Sequence, residues 1–258
     1  MSNFRRAIVR PPSTSFARGL TTVDLGSPDY ATALAEHEAY CGAFEALGVE
    51  LVRLPPDSRF PDSTFVEDAA VIAPRGAVLT RPGAPSRAGE VASIAEALEP
   101  LFPDLRAIAA PGTLDGGDVC EAGTHWFIGI SRRTNEEGAR QLARFLQADG
   151  VTTSFVDIRG VPSILHLKSG IASLSGRQLV VIESLKADPA FSGWEIVPVD
   201  PEEDYAADCL VVNDVVLFPR GFPKLERRIA ALGHRILLLD MSEFQKMDGG
   251  LSCLSLRF

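Results

Sequence analysis

The chain has 258 residues, of which 46% are hydrophobic and 23% are charged, and its formal net charge at pH 7 is −9. The negative charge argues against nucleic acids and anionic membranes as partners and suits a small cationic substrate. The sequence has no apolar signal core and no apolar run approaching about 18 residues, so we expect neither secretion nor a membrane span.

The four cysteines, Cys41, Cys120, Cys209 and Cys253, show neither a CxxC motif nor a paired spacing with histidine. Structural zinc sites and disulfide frameworks usually have such spacings. We therefore expect no metal site and no disulfide framework, and we expect a reducing, cytoplasmic environment. A homodimer is one of the oligomeric states that the sequence allows.

The first predicted elements are a strand over residues 6–10, a loop, a helix and a second strand over residues 49–54. The helix is predicted to begin at Ser27-Pro28-Asp29, with Pro28 at its first position, and to end at Gly48. His37 and Cys41 lie on the apolar stripe of this helix, which predicts that both are core residues.

The same order of strand, turn, strand, helix and strand then recurs four times. The predicted strands of the later copies are residues 65–66 with 69–72, 77–80 and 105–109; 118–120, 126–130 and 151–158; 165–174, 179–182 and 194–199; and 209–212, 215–218 and 235–239. A capping box at Thr134 is predicted to open the helix of the third copy, and the helix of the fourth, near Pro189, is predicted to be very short.

A period of about 40 to 50 residues indicates a repeat architecture. One such unit cannot bury both of its faces alone. We therefore predict an α/β fold, a five-bladed α/β propeller of ββαβ repeats with pseudo-fivefold symmetry. Residues 1–258 are predicted to form a single catalytic propeller domain, closed by a last strand within residues 251–258.

Charged and reactive residues stand at the openings of four repeats. They are Asp62, Glu67 and Asp68 in the second repeat, Asp115 in the third, His166 in the fourth, and Cys253 in the closing strand. If every first strand starts near the central axis, these side chains meet at one end of it. A thiol, an imidazole and a carboxylate are the components of covalent catalysis. Each residue alone is more often structural, but their shared position favours a catalytic site.

The excess of carboxylates at these openings predicts the charge of the substrate. Paired carboxylates fit a planar guanidinium well. Arg87 and Arg133 could hold the carboxylate of an amino acid at the other end of the pocket. An alternative of equal weight is that both are solvent-exposed arginines at helix caps.

Five motifs of the chain resemble dimethylarginine dimethylaminohydrolases, which belong to the guanidino-modifying superfamily with the five-bladed propeller. They are FPDSTFVED (60–68), GTLDGGD (112–118), RTN (133–135), HLK (166–168) and DGGLSCLSLRF (248–258). The resemblance covers nearly the whole chain. It implies hydrolysis of asymmetric dimethylarginine and monomethylarginine to citrulline and dimethylamine or methylamine, through a covalent thiouronium and without a cofactor or metal.

By position, the resemblance implies that Cys253 is the nucleophile, His166 the general acid/base and Asp115 its acidic companion, where some members carry Glu. It implies substrate contacts by Leu20, from an N-terminal loop that acts as a lid, and by Met247 through its backbone. The other implied substrate contacts are Asp62, Glu67, Asp68, Arg87 and Arg133. We expect Cys253 to be ionised mainly when the cationic substrate is bound, because the acidic pocket opposes a free thiolate.

Two alternatives remain at this stage. Another hydrolase of the superfamily, such as an arginine deiminase, is disfavoured by Lys168, where deiminases tend to carry Asp, and by the lack of room for their extra helical domain. A non-catalytic propeller, like the ribosome-associated anti-association factor, is disfavoured by the Cys–His–acid set and by the net charge. Phe65 lies between Asp62 and Glu67, which predicts an aromatic group beside the acids and favours a methylated guanidine over arginine.

Overall fold

Residues 3–258 are described by a computed structural model, in which they form fifteen β-strands and five α-helices. The strands are β1 (Arg6–Val9), β2 (Glu50–Arg53), β3 (Ala70–Ala73), β4 (Gly76–Leu79), β5 (Leu105–Ala107), β6 (Val119–Ala122), β7 (His125–Ile130), β8 (Thr152–Asp157), β9 (Ile171–Ser173), β10 (Gln178–Ile182), β11 (Glu195–Val199), β12 (Leu210–Val212), β13 (Val215–Pro219), β14 (Arg235–Leu239) and β15 (Ser255–Arg257). The helices are α1 (Tyr30–Ala46), α2 (Glu90–Leu98), α3 (Glu136–Ala148), α4 (Pro223–Ala231) and α5 (Ser242–Gln245). None of these five helices has the length and apolar character needed to cross a bilayer.

The strands of residues 3–258 pair into five three-stranded sheets, in the orders β15-β1-β2, β3-β4-β5, β6-β7-β8, β9-β10-β11 and β12-β13-β14. In each sheet the middle strand is antiparallel to the first strand and parallel to the third. A parallel pair needs a crossover connection, which a helix supplies in four blades. The turn Pro189–Phe191 lies in the crossover of the fourth, as the very short helix predicted there implies. The five-bladed α/β propeller is confirmed.

The first blade contains strands from both ends of the sequence. Strand β15 pairs antiparallel with β1, with Ala7 opposite Arg257 and Val9 opposite Ser255. The hydroxyl of Tyr40 in α1 lies 2.6 Å from the hydroxyl of Ser255 and so joins the helix to this strand. The predicted closure of the ring by the last strand is confirmed.

Each inner strand is preceded by a 3₁₀ turn near the axis. The turns are Val66–Ala69, Gly116–Asp118, Leu167–Ser169, Pro201–Ala207 and Ser252–Leu254. Neighbouring turns contact one another around the ring. The prediction that residues 65–66, 118, 167–169 and 252–254 are strand residues is therefore wrong, and Cys253 lies in a turn.

Carboxylates explain why the backbone leaves the strand pattern at these turns. Asp68 accepts the N–H of Gly117 at 2.9 Å, and Asp118 accepts the N–H of Leu167 at 3.0 Å. Asp208 accepts the N–H of Ser252, also at 3.0 Å. In each case an acid from one blade satisfies a buried backbone donor in the turn of the next, which a tight turn would otherwise leave unpaired.

Two predicted helix starts differ from the observed ones by one or two residues. Helix α1 is capped by Asp29, whose carboxylate accepts the N–H of Thr32 at 2.8 Å, so Pro28 precedes the cap and is not in the helix. Helix α3 is capped by Asn135 instead of Thr134. The Thr134 hydroxyl is used elsewhere, because it donates to the Asp118 carboxylate at 2.6 Å. Both caps are short polar side chains that accept an N–H of the first turn.

The apolar core lies between the sheets and their helices. Helix α1 buries Tyr40, Cys41 and Phe44 against residues of the first blade and the closing turn. His37 and Cys41 are both buried, which confirms the prediction that they are core residues. The Cys41 sulfur lies 3.6 Å from His37 Nδ1.

Candidate active site

His166 lies directly before the turn Leu167–Ser169, at one end of the axis. Its Nε2 is 3.0 Å from Asp115 Oδ2 and 4.0 Å from Asp68 Oδ1. The ring packs against bare backbone at Gly117, where a Cβ atom would come within 2.8 Å of the imidazole. The imidazole is therefore held in one place by two acids and by a glycine that leaves room for it.

Asp115 is fully buried and uses both of its oxygens. Oδ1 accepts the N–H of Gly83 at 2.8 Å, while Oδ2 faces His166 and also accepts from Arg133 Nη1 at 3.3 Å. A carboxylate on one ring nitrogen fixes the orientation of a histidine and stabilises its protonated form. This geometry supports the predicted role of Asp115 as the acidic companion of His166.

The charges around His166 determine its protonation. Burial alone would lower the pKa of His166, but Asp68, Asp118 and the hydrogen bond to Asp115 raise it to about 9. Burial would likewise raise the pKa of Asp68, whereas the positive charges of His166 and Arg87 hold it well below its usual range. At neutral pH the site therefore holds an imidazolium beside carboxylates, and this imidazolium can donate a proton.

The protonation of His166 should be visible in the stability of the protein. Its pKa of about 9 in the folded state lies above the unfolded value of about 6.5, so its contribution is complete below pH 6.5 and is lost as the pH rises through 9. We expect the difference in unfolding free energy between wild type and His166→Gln to fall over that interval by on the order of 3 kcal/mol. Urea unfolding at pH 6, 7.5 and 9.5 measures it.

The control for this experiment is His125→Gln. Burial lowers the pKa of His125, so the neutral ring is the form present above pH 7 and its replacement should not alter the pH dependence between 7 and 9.5. An equal pH dependence in wild type and His166→Gln would contradict the assignment of an imidazolium to the site.

Arg87 is buried and compensates two acids. Its guanidinium forms ion pairs with Asp68 and with Glu90, the latter at 2.7 Å, and donates to the carbonyl groups of Asp62 and Phe65 at 3.2 Å each. The alternative of solvent-exposed helix-cap arginines is wrong for Arg87, and it is also wrong for Arg133, whose side chain is 13% exposed. Both arginines line the cavity described below, and their substrate contacts stay predictions.

Glu67 points away from His166. Its Oε1 lies 2.5 Å from Lys168 Nζ and 2.6 Å from Arg257 Nη2. The residues that line the cavity beside His166 include Asp68 but not Glu67. Successive side chains of a tight turn point in different directions, so two neighbouring acids reach opposite sides of it. Glu67 does not line the closed cavity, and its predicted substrate contact stays a prediction.

Cys253 faces the same cavity as His166. Its thiol donates to Asp208 Oδ2 over 3.8 Å. Burial, together with the negative charges of Asp208, Glu67 and Asp68, raises its pKa well above the usual range. The free protein therefore carries Cys253 as a thiol, in agreement with the expectation that a bound cation is needed to ionise it.

Asp208 is a residue of the site that the sequence analysis missed. The fifth repeat was taken to open at Cys209, one residue too late. Asp68 and Asp118 stand two and one residues before the inner strands of their blades, and Asp208 stands two residues before β12. An acid one or two residues before the inner strand of blades two and three was the signal that could have revealed Asp208.

A closed loop covers the cavity. The N–H of Leu20 donates to Asp62 at 3.0 Å, the Thr21 hydroxyl donates to the carbonyl of Lys246 at 2.9 Å, and the N–H of Thr22 donates to Asp248 at 2.5 Å. The enclosed volume is about 20 Å³. That is room for about one water molecule and not for an amino acid. The cavity is lined by Leu20, Asp62, Phe65, Asp68, Arg87, Arg133, Leu165, His166, Met247, Asp248, Gly249 and Cys253.

Asp68, Asp115 and His166 offer atoms that lie within 4.8 Å of one another, as in a metal site. These atoms already have partners, because Asp68 binds Arg87 and the N–H of Gly117, and Asp115 Oδ2 lies against His166. A metal ion would have to displace an arginine or an imidazolium from buried acids. We assign the cluster to a network of ion pairs.

Comparisons with known proteins place the chain in a family. No family model matches it. It is 44% identical over 256 residues to the N(G),N(G)-dimethylarginine dimethylaminohydrolase of Pseudomonas aeruginosa, an alignment that covers 99% of this chain and 100% of that protein. The chain belongs to the dimethylarginine dimethylaminohydrolase family. A protein of the same name from Streptomyces coelicolor is 37% identical over 254 residues, with 98% of this chain and 96% of that protein covered.

Solved structures of the family agree with this fold. A Pseudomonas aeruginosa dimethylarginine dimethylaminohydrolase with a cysteine-to-serine substitution, complexed with citrulline, matches with a TM-score of 0.96 at 43% identity and full coverage of both chains. A histidine-to-glycine variant adduct with S-methyl-L-thiocitrulline matches with a TM-score of 0.94 at 44% identity, covering 99% of this chain and 100% of that one. The N-terminal domain of the arginine dihydrolase ArgZ shares the fold, with a TM-score of 0.88 at 17% identity and coverage of 99% and 97%.

Proposed function

We propose that this protein hydrolyses asymmetric dimethylarginine and monomethylarginine to citrulline and dimethylamine or methylamine, without a cofactor. The observation that carries this proposal is the half-buried Cys253 and the buried His166 in one cavity edged with carboxylates, with the buried Asp115 behind the imidazole, in a chain that aligns from end to end with dimethylarginine dimethylaminohydrolases. Because the inner strand of the first blade comes from the other end of the sequence, we take residues 1–258 as one catalytic domain.

The cavity has groups that suit each part of a methylated arginine. Asp62 and Asp68 are carboxylate acceptors for guanidinium N–H groups, while Phe65 and Met247 offer apolar surface beside them. Arg133 has a charge that suits the carboxylate of an amino acid. Loop residues 20–25 must open to admit such a ligand, since the closed cavity is far too small for it.

The chemistry proceeds in two halves. The thiol of Cys253 loses its proton to a carboxylate of the site as its sulfur attacks the guanidinium carbon, and the C=N electron pair moves onto nitrogen to give a tetrahedral intermediate. The imidazolium of His166 then protonates the methylated nitrogen, so that the amine leaves and a thiouronium remains. Neutral His166 takes a proton from water as its oxygen attacks the thiouronium carbon. The carbon–sulfur bond then breaks and the sulfur takes its proton back from the carboxylate. The protonated citrulline that remains loses its extra proton to solvent.

His166 is suited to both halves by its surroundings. Its raised pKa keeps the proton available for the leaving amine, and its buried carboxylate partners stabilise the imidazolium that re-forms when water is deprotonated. Asp68 lines the cavity and offers a carboxylate to the positive charge of the substrate, whereas Asp115 acts through His166. We further place the protein in the cytoplasm, since its four cysteines are free and the proposed chemistry needs Cys253 reduced.

The choice of substrate is tested by comparing kcat/KM for asymmetric dimethylarginine and arginine. Arginine would place N–H donors against the apolar side of the cavity, and an unpaired buried donor costs about 1–3 kcal/mol. We therefore expect dimethylarginine to be preferred by well over tenfold, since tenfold is about 1.4 kcal/mol. Citrulline and the released amine should be quantified separately over a panel of guanidines. A ratio near one, or a preference for arginine, would instead indicate a deiminase.

A further inference from the structure

Asp208 lies directly behind the turn that carries Cys253. Its side chain is buried and fills the space over Gly250, where a Cβ atom would come within 2.1 Å of Oδ2. Oδ1 accepts the N–H of Ser252 at 3.0 Å, and Oδ2 lies 3.8 Å from the sulfur of Cys253. One carboxylate therefore contacts both the backbone and the side chain of the proposed nucleophile's turn.

The two acids at equivalent places in other blades are bound differently. Like Asp208, Asp68 and Asp118 each accept an N–H of the next turn with one oxygen. The second oxygen of Asp68 is paired with Arg87, and that of Asp118 accepts two hydroxyl groups. In the part of the chain that the structure describes, the hydrogen-bond donor to the second oxygen of Asp208 is the thiol of Cys253.

The groups around Asp208 come from the turns of four blades. Glu67 and Lys168 bring opposite charges from the turns of the second and fourth blades, Tyr205 belongs to the turn that precedes Asp208, and Cys253 faces Asp208. Burial and the charge of Glu67 raise the pKa of Asp208 to about 6, although hydrogen bonding to Ser252 and the charge of Lys168 oppose the shift. A carboxyl group with such a pKa can accept and return a proton near neutral pH.

We propose that Asp208 positions Cys253 and is the acceptor of its proton. As the sulfur attacks the guanidinium carbon, the S–H bond breaks and its proton moves to Asp208 Oδ2, which becomes a neutral carboxylic acid. When the carbon–sulfur bond later breaks, the sulfur takes that proton back. Asp208 thus carries one proton through the covalent intermediate, while His166 serves the amine and the water. The proton-transfer step rests on the proposed function, whereas the contact with the free thiol does not.

The test is Asp208→Asn, which keeps the shape of the side chain and an oxygen for the N–H of Ser252. Removal of the negative charge should make Cys253 more acidic, so that iodoacetamide alkylates it at pH 7 at least about tenfold faster and the pH midpoint of alkylation falls. Turnover should instead fall by about 100-fold or more, because a proton acceptor is lost. The fall in the pH midpoint separates loss of the charge from loosening of the turn, since greater exposure alone would speed alkylation without making the thiol more acidic.

The matched control is Asp204→Asn, an equal charge change in the turn that precedes Asp208, which should leave both rates near those of wild type. An unchanged alkylation profile in Asp208→Asn, an unchanged kcat, or a fall in both rates would overturn the proposal.

If wild type turns over no methylated arginine, the proposed function fails while the alkylation measurement still decides whether Asp208 holds the thiol. If Asp208→Asn does not fold, ¹³C-carboxyl NMR should show a higher titration midpoint for Asp208 in Cys253→Ala than in wild type, because the thiol donor to the carboxylate is lost, and equal midpoints would refute the contact.

Discussion

Cys253→Ser should give a folded protein whose kcat is lower than that of wild type by about 10³-fold or more. A serine hydroxyl in this place is a much weaker nucleophile, and His166 is already protonated and cannot activate it as a base. The fold should persist, because the turn is held by backbone groups, including the N–H of Ser252 bound to Asp208. Citrulline release and thermal unfolding of both proteins measure the two effects.

Cys41→Ser is the matched control for that substitution. Cys41 is buried in α1 beside His37, and burial raises its pKa to about 12, so it is not a candidate nucleophile. We expect its replacement to lower the melting temperature and to leave kcat near the wild-type value. Near-normal turnover by Cys253→Ser, or a collapse of kcat in Cys41→Ser, would contradict the assignment of the nucleophile.

Removal of residues 255–258 should cost the protein most of its unfolding free energy, although Cys253 itself is retained. The deletion takes β15 from the first blade and exposes the edge of β1. It also removes the buried side chain of Leu256 and the partner of the Tyr40 hydroxyl. Loss of one large buried side chain alone costs about 2–5 kcal/mol, against a typical total stability of about 5–15 kcal/mol.

Chemical denaturation of the truncated chain measures this effect, and Tyr40→Phe is its control. That variant loses only the hydrogen bond between α1 and Ser255, which should cost about 1 kcal/mol. An unfolding curve of the truncated protein that superimposes on that of wild type would show that the last strand is an appendage and not part of the ring.

The fold could be predicted from the sequence because the pattern of apolar residues that specifies it is periodic. Each blade repeats the same spacing of apolar strands and amphipathic helix, and helix ends such as Gly48 are marked locally. The 3₁₀ turns could not be predicted in this way. Leu251 and Cys253 stand two residues apart with Ser252 between them, as in a strand. The hydrogen bond that draws Ser252 out of that pattern goes to Asp208, which is 44 residues away.

The site was predictable where a residue's chemistry was distinctive. Cys253, His166 and Asp68 line one cavity, and Asp115 stands behind the imidazole. The sequence could not distinguish Glu67 from Asp68, because which of two adjacent acids enters the cavity depends on the backbone angles of a turn. For the same reason Asp208 was missed, since its importance comes from a contact between blades and not from its own neighbours in the chain.

Gly117 and Gly250 carry no chemistry, yet His166 and Asp208 are packed directly against their backbones. The proposed reaction therefore depends on two small volumes, which a Cβ atom at Gly117 or Gly250 would occupy, as much as on its functional groups. In a descendant of this protein that had been released from selection for catalysis, these volumes could be filled before the reactive residues themselves changed. A side chain at either position would then mark a relative that keeps every recognisable motif and has already lost the activity, a distinction that a search for the motifs alone would overlook.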